Sequence, residues 1–276
     1  MGGVGHVNAD GWDRRRLLVV LACVVAAVTL LLVGLGYAVY FALTPATGTA
    51  KPVPATAAAR LPSGPQVARG EAHRDEIASA PMLVVGPADS RASTPAAVAG
   101  PTITIPVSTR QGPASVPAGF PRTPEGAVAQ LSAIETTVLQ GMSIPAANQV
   151  YEQWALPGGV GVAGWEITQD VQAFLTTAQM GPQKDIASSV VATPAAAQVK
   201  GTDGPDWVLA CVLLDMRATI TADARMGYGY CERMQWRAGR WMIAPGTPPA
   251  RAPSTWPGSD LSIKAGWRTW ATSGQE

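Results

Sequence analysis

The chain has 276 residues, with 20 Lys/Arg against 19 Asp/Glu, a formal net charge of +1 and two histidines. So even a balance excludes the basic excess that a nucleic-acid surface needs. His6 and His73 both precede the Trp-rich C-terminal part, which excludes a Ser-His-Asp triad, a Cys-His pair and the usual zinc sets there.

Residues 1–16 are too short to fold, and His6 stands where a myristoylation pattern needs Ser or Thr. Residues 17–43, from Leu17 to Leu43, form one apolar run without a charge, directly after Arg14, Arg15 and Arg16. As a helix this run would extend roughly 40 Å, more than the ~30 Å hydrocarbon core of a bilayer. It is too long for a cleaved signal peptide, and only six apolar residues lead up to Cys23, too few for a lipoprotein signal. The run reads as a single transmembrane helix. The Arg triplet puts residues 1–16 in the cytoplasm and the bulk of the chain outside. Ala22 and Ala26 form a small-xxx-small pair, a hint of a homo-oligomer.

Residues 44–118 are rich in Pro, Ala, Thr, Ser and Gly and contain no aromatic residue. This composition predicts an extended or disordered linker, stiffened by Pro. A short helix around residues 70–80 fits the pattern, and residues 81–85 and 102–107 could each add a strand or dock in a groove. The passive stalk is the favoured reading.

Eight of the nine tryptophans follow Gly119, within a region of eleven Lys/Arg and thirteen Asp/Glu. Residues 119–272 are long enough for one compact domain, with 273–276 a tail. Thr123-Pro124-Glu125 predicts a helix start, followed by Val128, Leu131, Ile134, Val138 and Met142 at helical spacing. A second helix starts after Ser143 and runs to Trp154, and a third spans residues 168–180. Strands follow at 189–191 with 198–200, then 207–220, 224–236 and 240–244. Ala238-Gly239 joins the last two as a hairpin turn. A last helix after Ser259-Asp260 carries Leu261, Ile263, Trp267 and Trp270.

Cys211 and Cys231 fall in the two longest strands. If they oppose each other, paired residue numbers sum to 442. Val208, Val212, Leu214, Met216, Met226, Tyr228, Tyr230 and Met234 then share one apolar face. Asp215, Arg217, Arg225, Arg233 and Arg237 take the other. A one-residue slip would destroy this segregation. Two misfits remain: Glu232 lies on the apolar face, and Arg217 opposes Arg225. This register predicts a Cys211–Cys231 disulfide, which suits an oxidising compartment.

Other motifs carry little chemistry. The GxGxxG at residues 159–164 follows a helix rather than a strand and reads as a loop. Asp203 and Asp206 read as solvated turn charges, and Asp215 as a cross-strand ion pair. Most of the tryptophans read as core. Trp256, with Arg217, Arg225, Arg233 and Arg237, is the candidate interaction surface. No catalytic residue, cofactor or metal site is predicted.

Residues 119–127 (GFPRTPEGA), 231–236 (CERMQW), 239–246 (GRWMIAPG) and 252–258 (APSTWPG) together resemble single-pass membrane proteins of actinobacterial integrative and conjugative elements. More distantly, an anchor, a linker and an outer domain resemble bitopic components of type IV secretion and conjugation channels. The element order is similar to the cone-shaped, α+β fold of nuclear transport factor 2: about three helices packed on a curved antiparallel sheet. The resemblance implies a non-enzymatic scaffold subunit with a cytoplasmic N-terminus and an extracytoplasmic domain. Its partners would be the lipid bilayer and other conjugation-channel proteins. The alternative is a tethered module that binds a small ligand or a cell-wall component in the cone.

Overall fold

The computed structural model describes residues 69–274 except Thr221, within the compact unit Pro65–Glu276. The expected cytoplasmic tail, the expected anchor from Leu17 to Leu43 with Arg14, Arg15 and Arg16, and residues 44–68 of the expected linker lie outside the described residues. No helix among the described residues is long and apolar enough to cross a membrane.

In chain order the elements are α1 (Glu71–Ser79), β1 (Thr102–Ile105), β2 (Arg110–Gln111), β3 (Pro117–Ala118), α2 (Pro124–Gly141), α3 (Ile144–Trp154) and α4 (Glu166–Thr177). They continue with β4 (Ser189–Thr202), β5 (Trp207–Thr219), β6 (Asp223–Arg237), β7 (Arg240–Ile243), α5 (Asp260–Lys264) and β8 (Arg268–Thr272). The fold is α+β. A curled six-stranded sheet has the order β1-β8-β4-β5-β6-β7 and is antiparallel except for β1 beside β8.

Local chemistry explains the helices. Thr123 caps α2, its hydroxyl accepting from the Gly126 N–H at 3.1 Å, with Pro124 in the first turn. A Cβ on Gly126 would lie 1.9 Å from the Pro121 carbonyl oxygen, so the chain can enter this helix only over a glycine. Ser143 caps α3 in the same way. Helix α5 ends at Lys264, because Gly266 turns left-handed at φ 88°. Trp267 and Trp270 therefore do not continue that helix, contrary to the expectation above; Trp270 belongs to β8. Residues 189–191 and 198–200 are one strand, β4, with Pro194 accommodated at a register shift before Ala196.

Strands β5 and β6 pair in the expected register, including Cys211 with Cys231, Val212 with Tyr230 and Leu214 with Tyr228. The Cys211–Cys231 disulfide is present, with Cα atoms 4.0 Å apart. Helices α2, α3 and α4 cover the expected apolar face. Leu131, Ile134 and Val138 meet Val208, Val212 and Met234 in the main core.

The opposite face departs from expectation. Trp207, Leu209, Cys211 and Leu213 lie on it, and every residue from Trp207 to Leu214 is at most 1 % exposed. Such a strand is covered on both sides. The cover comes from residues 69–101 and 244–267, so the linker expected at 44–118 folds onto the sheet from residue 69 on. Met82 and Leu83 pack on the disulfide cluster with Ala252 and Trp267, and Ile77 packs beside Trp207 and Leu209. β1 adds its edge to β8. Three backbone hydrogen bonds stitch the two covering segments together: Ala250 N–H to Ala78 O, Trp256 N–H to Asp89 O, and Ala96 N–H to Gly258 O, each 2.8 Å. Gly227 and Gly229 make the close approach possible, since a Cβ on either would meet the backbone of Thr255 or Pro253.

The disulfide closes a loop with a sequence separation of 20. Replacing both cysteines by Ser is expected to lower unfolding stability by about 3 kcal/mol. Denaturant melts with and without reductant measure this; identical midpoints would count against a stabilising clasp.

Candidate functional site

The most unusual chemistry lies inside the curl of the sheet, between α2 and the apolar face of β6. Leu131 and Ile134 of α2 are fully buried, and Glu135 lies four residues after Leu131 on the same inward stripe. Glu135 has no exposed surface, and neither of its carboxyl oxygens has a hydrogen-bond partner. The two-residue period of β6 brings Tyr228, Tyr230 and Glu232 to the same side. Trp165, just before α4, closes one end.

Glu232 is well supplied with donors. The Tyr230 hydroxyl donates to its Oε2 at 2.5 Å, the Trp165 indole N–H to the same oxygen at 3.2 Å, and the Arg233 backbone N–H to Oε1 at 3.0 Å. The Trp165 N–H also reaches the Tyr230 oxygen at 3.0 Å. Burial raises the Glu232 carboxyl above its usual range, opposed by the hydrogen bonds from Tyr230, Arg233 and Trp165. Burial, then the nearby charge of Glu232, pushes Glu135 well above its usual range. Burial thus favours the proton on both carboxyls, and more strongly on Glu135, which has no donor to oppose it as Glu232 does. Burial also raises both tyrosine phenols, so they remain donors; Tyr228 donates to Asp170 Oδ2 at 2.6 Å.

A cavity of about 50 Å³ adjoins this cluster, lined by Tyr151, Trp165, Tyr230, Glu232 and Ile243. It has room for a water or two, the size of guest that buried carboxyl groups use. Beside Tyr228 and Asp170 lies a larger apolar pocket of about 350 Å³, lined by Leu139, Met142, Phe174, Val190, Met216 and Met226. Among the described residues, no three His, Cys, Asp or Glu side chains converge as a metal site. The arrangement can hold a proton out of solvent and can offer hydroxyl donors to a small polar guest.

The candidate surface residues separate. Arg225 donates from Nε to Asp215 Oδ1 at 2.7 Å, Arg217 approaches the other oxygen at 3.6 Å, and Arg225 lies 4.6 Å over the half-buried Trp256 ring. Asp215 thus resolves the opposition of Arg217 and Arg225, and the Arg225 hydrogen bond, then burial in opposition, leaves its carboxyl below the usual range. Arg233 is no surface residue: it is 2 % exposed, pairs with Asp75 at 2.5 Å and donates to Thr247 O at 2.8 Å. The covering segments enclose it. Arg237 stands at the far end of β6, opposite Arg240. Asp203 and Asp206 are not merely solvated. Asp203 pairs with Arg74 at 2.6 Å and Asp206 with Arg122 at 2.5 Å, fastening α1 and the start of α2 to the turn before β5. The glycines at 159–164 form a turn around Tyr151, whose hydroxyl accepts from the Gly161 N–H at 3.1 Å.

The sequence reading passed over Glu135, although its spacing from Leu131 and Val138 put it on the buried stripe. Glu232 carried the second signal as a misfit on the apolar face. The chain matches no family model, no curated protein and no solved structure.

Glu135 keeps its proton to higher pH in the folded state than in the unfolded chain. The folded state therefore loses relative stability as pH rises above the ordinary Glu range, about 4.3, through the raised value. Glu135→Gln removes that loss, so its stability advantage over the native chain should grow from pH 5 to pH 9 in urea melts. Parallel pH profiles would refute the buried, protonated state.

Proposed function

We propose that this chain is a non-enzymatic, membrane-tethered scaffold subunit of a conjugation or type IV secretion-like complex. In this reading residues 17–43 anchor it in the cell membrane, the N-terminus is cytoplasmic, and the α+β domain is extracytoplasmic. The bilayer and other channel subunits are its partners, and tethering raises the effective concentration of the domains for one another, so that weak contacts or self-association suffice. The observation that carries this reading is the filling of the cone. Trp165, Tyr230, Met234 and Leu131 pack its interior beside Glu232, where about 50 Å³ stays open; the larger space of about 350 Å³ lies beside Tyr228. The Cys211–Cys231 disulfide supports the assignment to an oxidising compartment. Deletion of the gene from its element should abolish conjugal transfer, with complementation restoring it and crosslinked membranes yielding other channel subunits; normal transfer by the deletion strain would refute the proposal.

One observation favours a second reading, a module that binds a small apolar ligand or cell-wall component. The pocket of about 350 Å³ beside Asp170 and Tyr228 falls in the size range of ligand sites. In that case Met216→Trp, which fills the pocket, should abolish binding of an apolar fluorescent probe such as anilinonaphthalene sulfonate to the native protein. Equal probe binding by both proteins would count against it.

A further inference from the structure

A third cleft, which shares no lining residue with the cavity beside Glu232, has a charge pattern that the scaffold reading does not use. It is about 310 Å³ in volume and is lined by Arg110, Gly112, Pro113, Trp154, Ala238 and Arg240. Three elements build it. The β6–β7 hairpin turns through Ala238 and Gly239, both left-handed at φ 49° and 77°. Arg110 of β2 reaches across and donates from Nη2 to the Gly239 carbonyl at 3.4 Å. The C-terminal end of α3 supplies Trp154, which is fully buried and whose indole N–H donates to Pro113 O at 3.1 Å.

Arg240 lies 4.6 Å over the Trp154 ring and donates from Nη2 to Gln153 O at 2.9 Å. Stacking and this bond hold its guanidinium in place beside a second guanidinium. Burial, then the charge of Arg110, push Arg240 below its ordinary value. Every other half-buried or buried arginine that is held in place has an acid: Arg74 has Asp203, and Arg233 has Asp75. Among the described residues, neither Arg110 nor Arg240 forms a salt bridge. Two like charges drawn into one cleft repel each other, and an anion between them would turn that repulsion into attraction. A guanidinium carries five N–H donors in a planar fork; on Arg240, Nε already donates to Met242 Sδ at 2.9 Å and one Nη2 hydrogen to the Gln153 carbonyl, which leaves its other Nη hydrogens, with those of Arg110, for the oxygens of a phosphate group. The cleft is large enough for a phosphate with a small substituent.

We propose that the cleft between Arg110 and Arg240 is a phosphate-binding site, and that its ligand is a phosphate ester, either free in solution or as a phospholipid headgroup. Arg110 and Arg240 hold the phosphate oxygens, and Trp154 fixes the Arg240 fork. The site is independent of the interior carboxyl cluster and of the scaffold assignment.

The test uses the full chain in a zwitterionic detergent, titrated with inorganic phosphate at constant ionic strength against chloride. Calorimetry should give saturable binding, and the melting temperature should rise with phosphate concentration by mass action. Arg110 is exposed and makes one long hydrogen bond, so Arg110→Ala should keep its phosphate-free melting temperature while losing about tenfold or more in affinity. Arg240→Lys keeps the charge but loses the fork and should also weaken binding. Monomeric short-chain phosphatidylglycerol and phosphatidylcholine distinguish the sources. Tighter binding of phosphatidylglycerol than of phosphate assigns a headgroup, and the reverse order assigns a soluble ester. Absence of saturable binding by phosphate and both lipids, or equal affinity in Arg110→Ala, would overturn the proposal.

Discussion

Residues Trp207 to Leu214 are apolar and buried at every position, so strand β5 must be covered on both faces. The rest of the domain follows from that demand. Helices α2–α4 take one face. The other is taken by two chain segments that have little structure of their own, residues 69–101 and 244–267. Neither could remain in place alone, because each depends on the apolar floor of β5 and on the other segment. Gly227 and Gly229 lower the barrier to that packing by removing the side chains that would hold the C-terminal segment off β6. The disulfide lies at the centre of this second interface, where Met82 touches Cys231 with its sulfur at 3.7 Å. It therefore clasps the two central strands beneath the layer that covers them.

The polar groups inside the first face create an opposing tension. A carboxyl without partners in an apolar helix face is costly when charged, so Glu135 is kept neutral. Glu232 remains tolerable because Tyr230, Trp165 and the Arg233 amide all donate to it. The cluster thus combines one carboxyl supplied with donors and one without a partner. Under the scaffold proposal the functional surfaces are then on the outside. There Arg217 and Arg225 are satisfied by Asp215, whereas Arg110 and Arg240 share a cleft that no acid lines.

Much of the architecture was legible from residue pattern. Thr123-Pro124-Glu125 announced α2 because capping is local chemistry. The sum of 442 between partners in β5 and β6 followed from the cysteine positions and the period of two. Ala238-Gly239 announced its hairpin. Where the reading failed, the missing information was non-local. Residues 69–118 have the composition of a stalk; a helix near residues 70–80 and docking of residues 81–85 or 102–107 fit as alternatives, but no residue among them identifies Leu209, Cys211 and Leu213 as the floor they cover. Arg233 reads as a surface charge until α1 and the 244–249 segment close over it. Of the polar interior, Glu232 was visible as a misfit, whereas its partners came from helix ends and strands distant in sequence.

The sequence by itself determined the α+β order of elements, the register of β5 on β6 and the pairing of Cys211 with Cys231. Helix caps, strand alternation and cysteine spacing are short-range rules that any copy of the chain obeys. Only the tertiary structure decided that residues 69–101 are part of the domain, that Glu135 is buried without a partner, and that Arg110 and the Trp154-stacked Arg240 line one cleft. Each of these depends on which surfaces are brought together, because burial and the proximity of charges are properties of the packed chain and not of any segment within it.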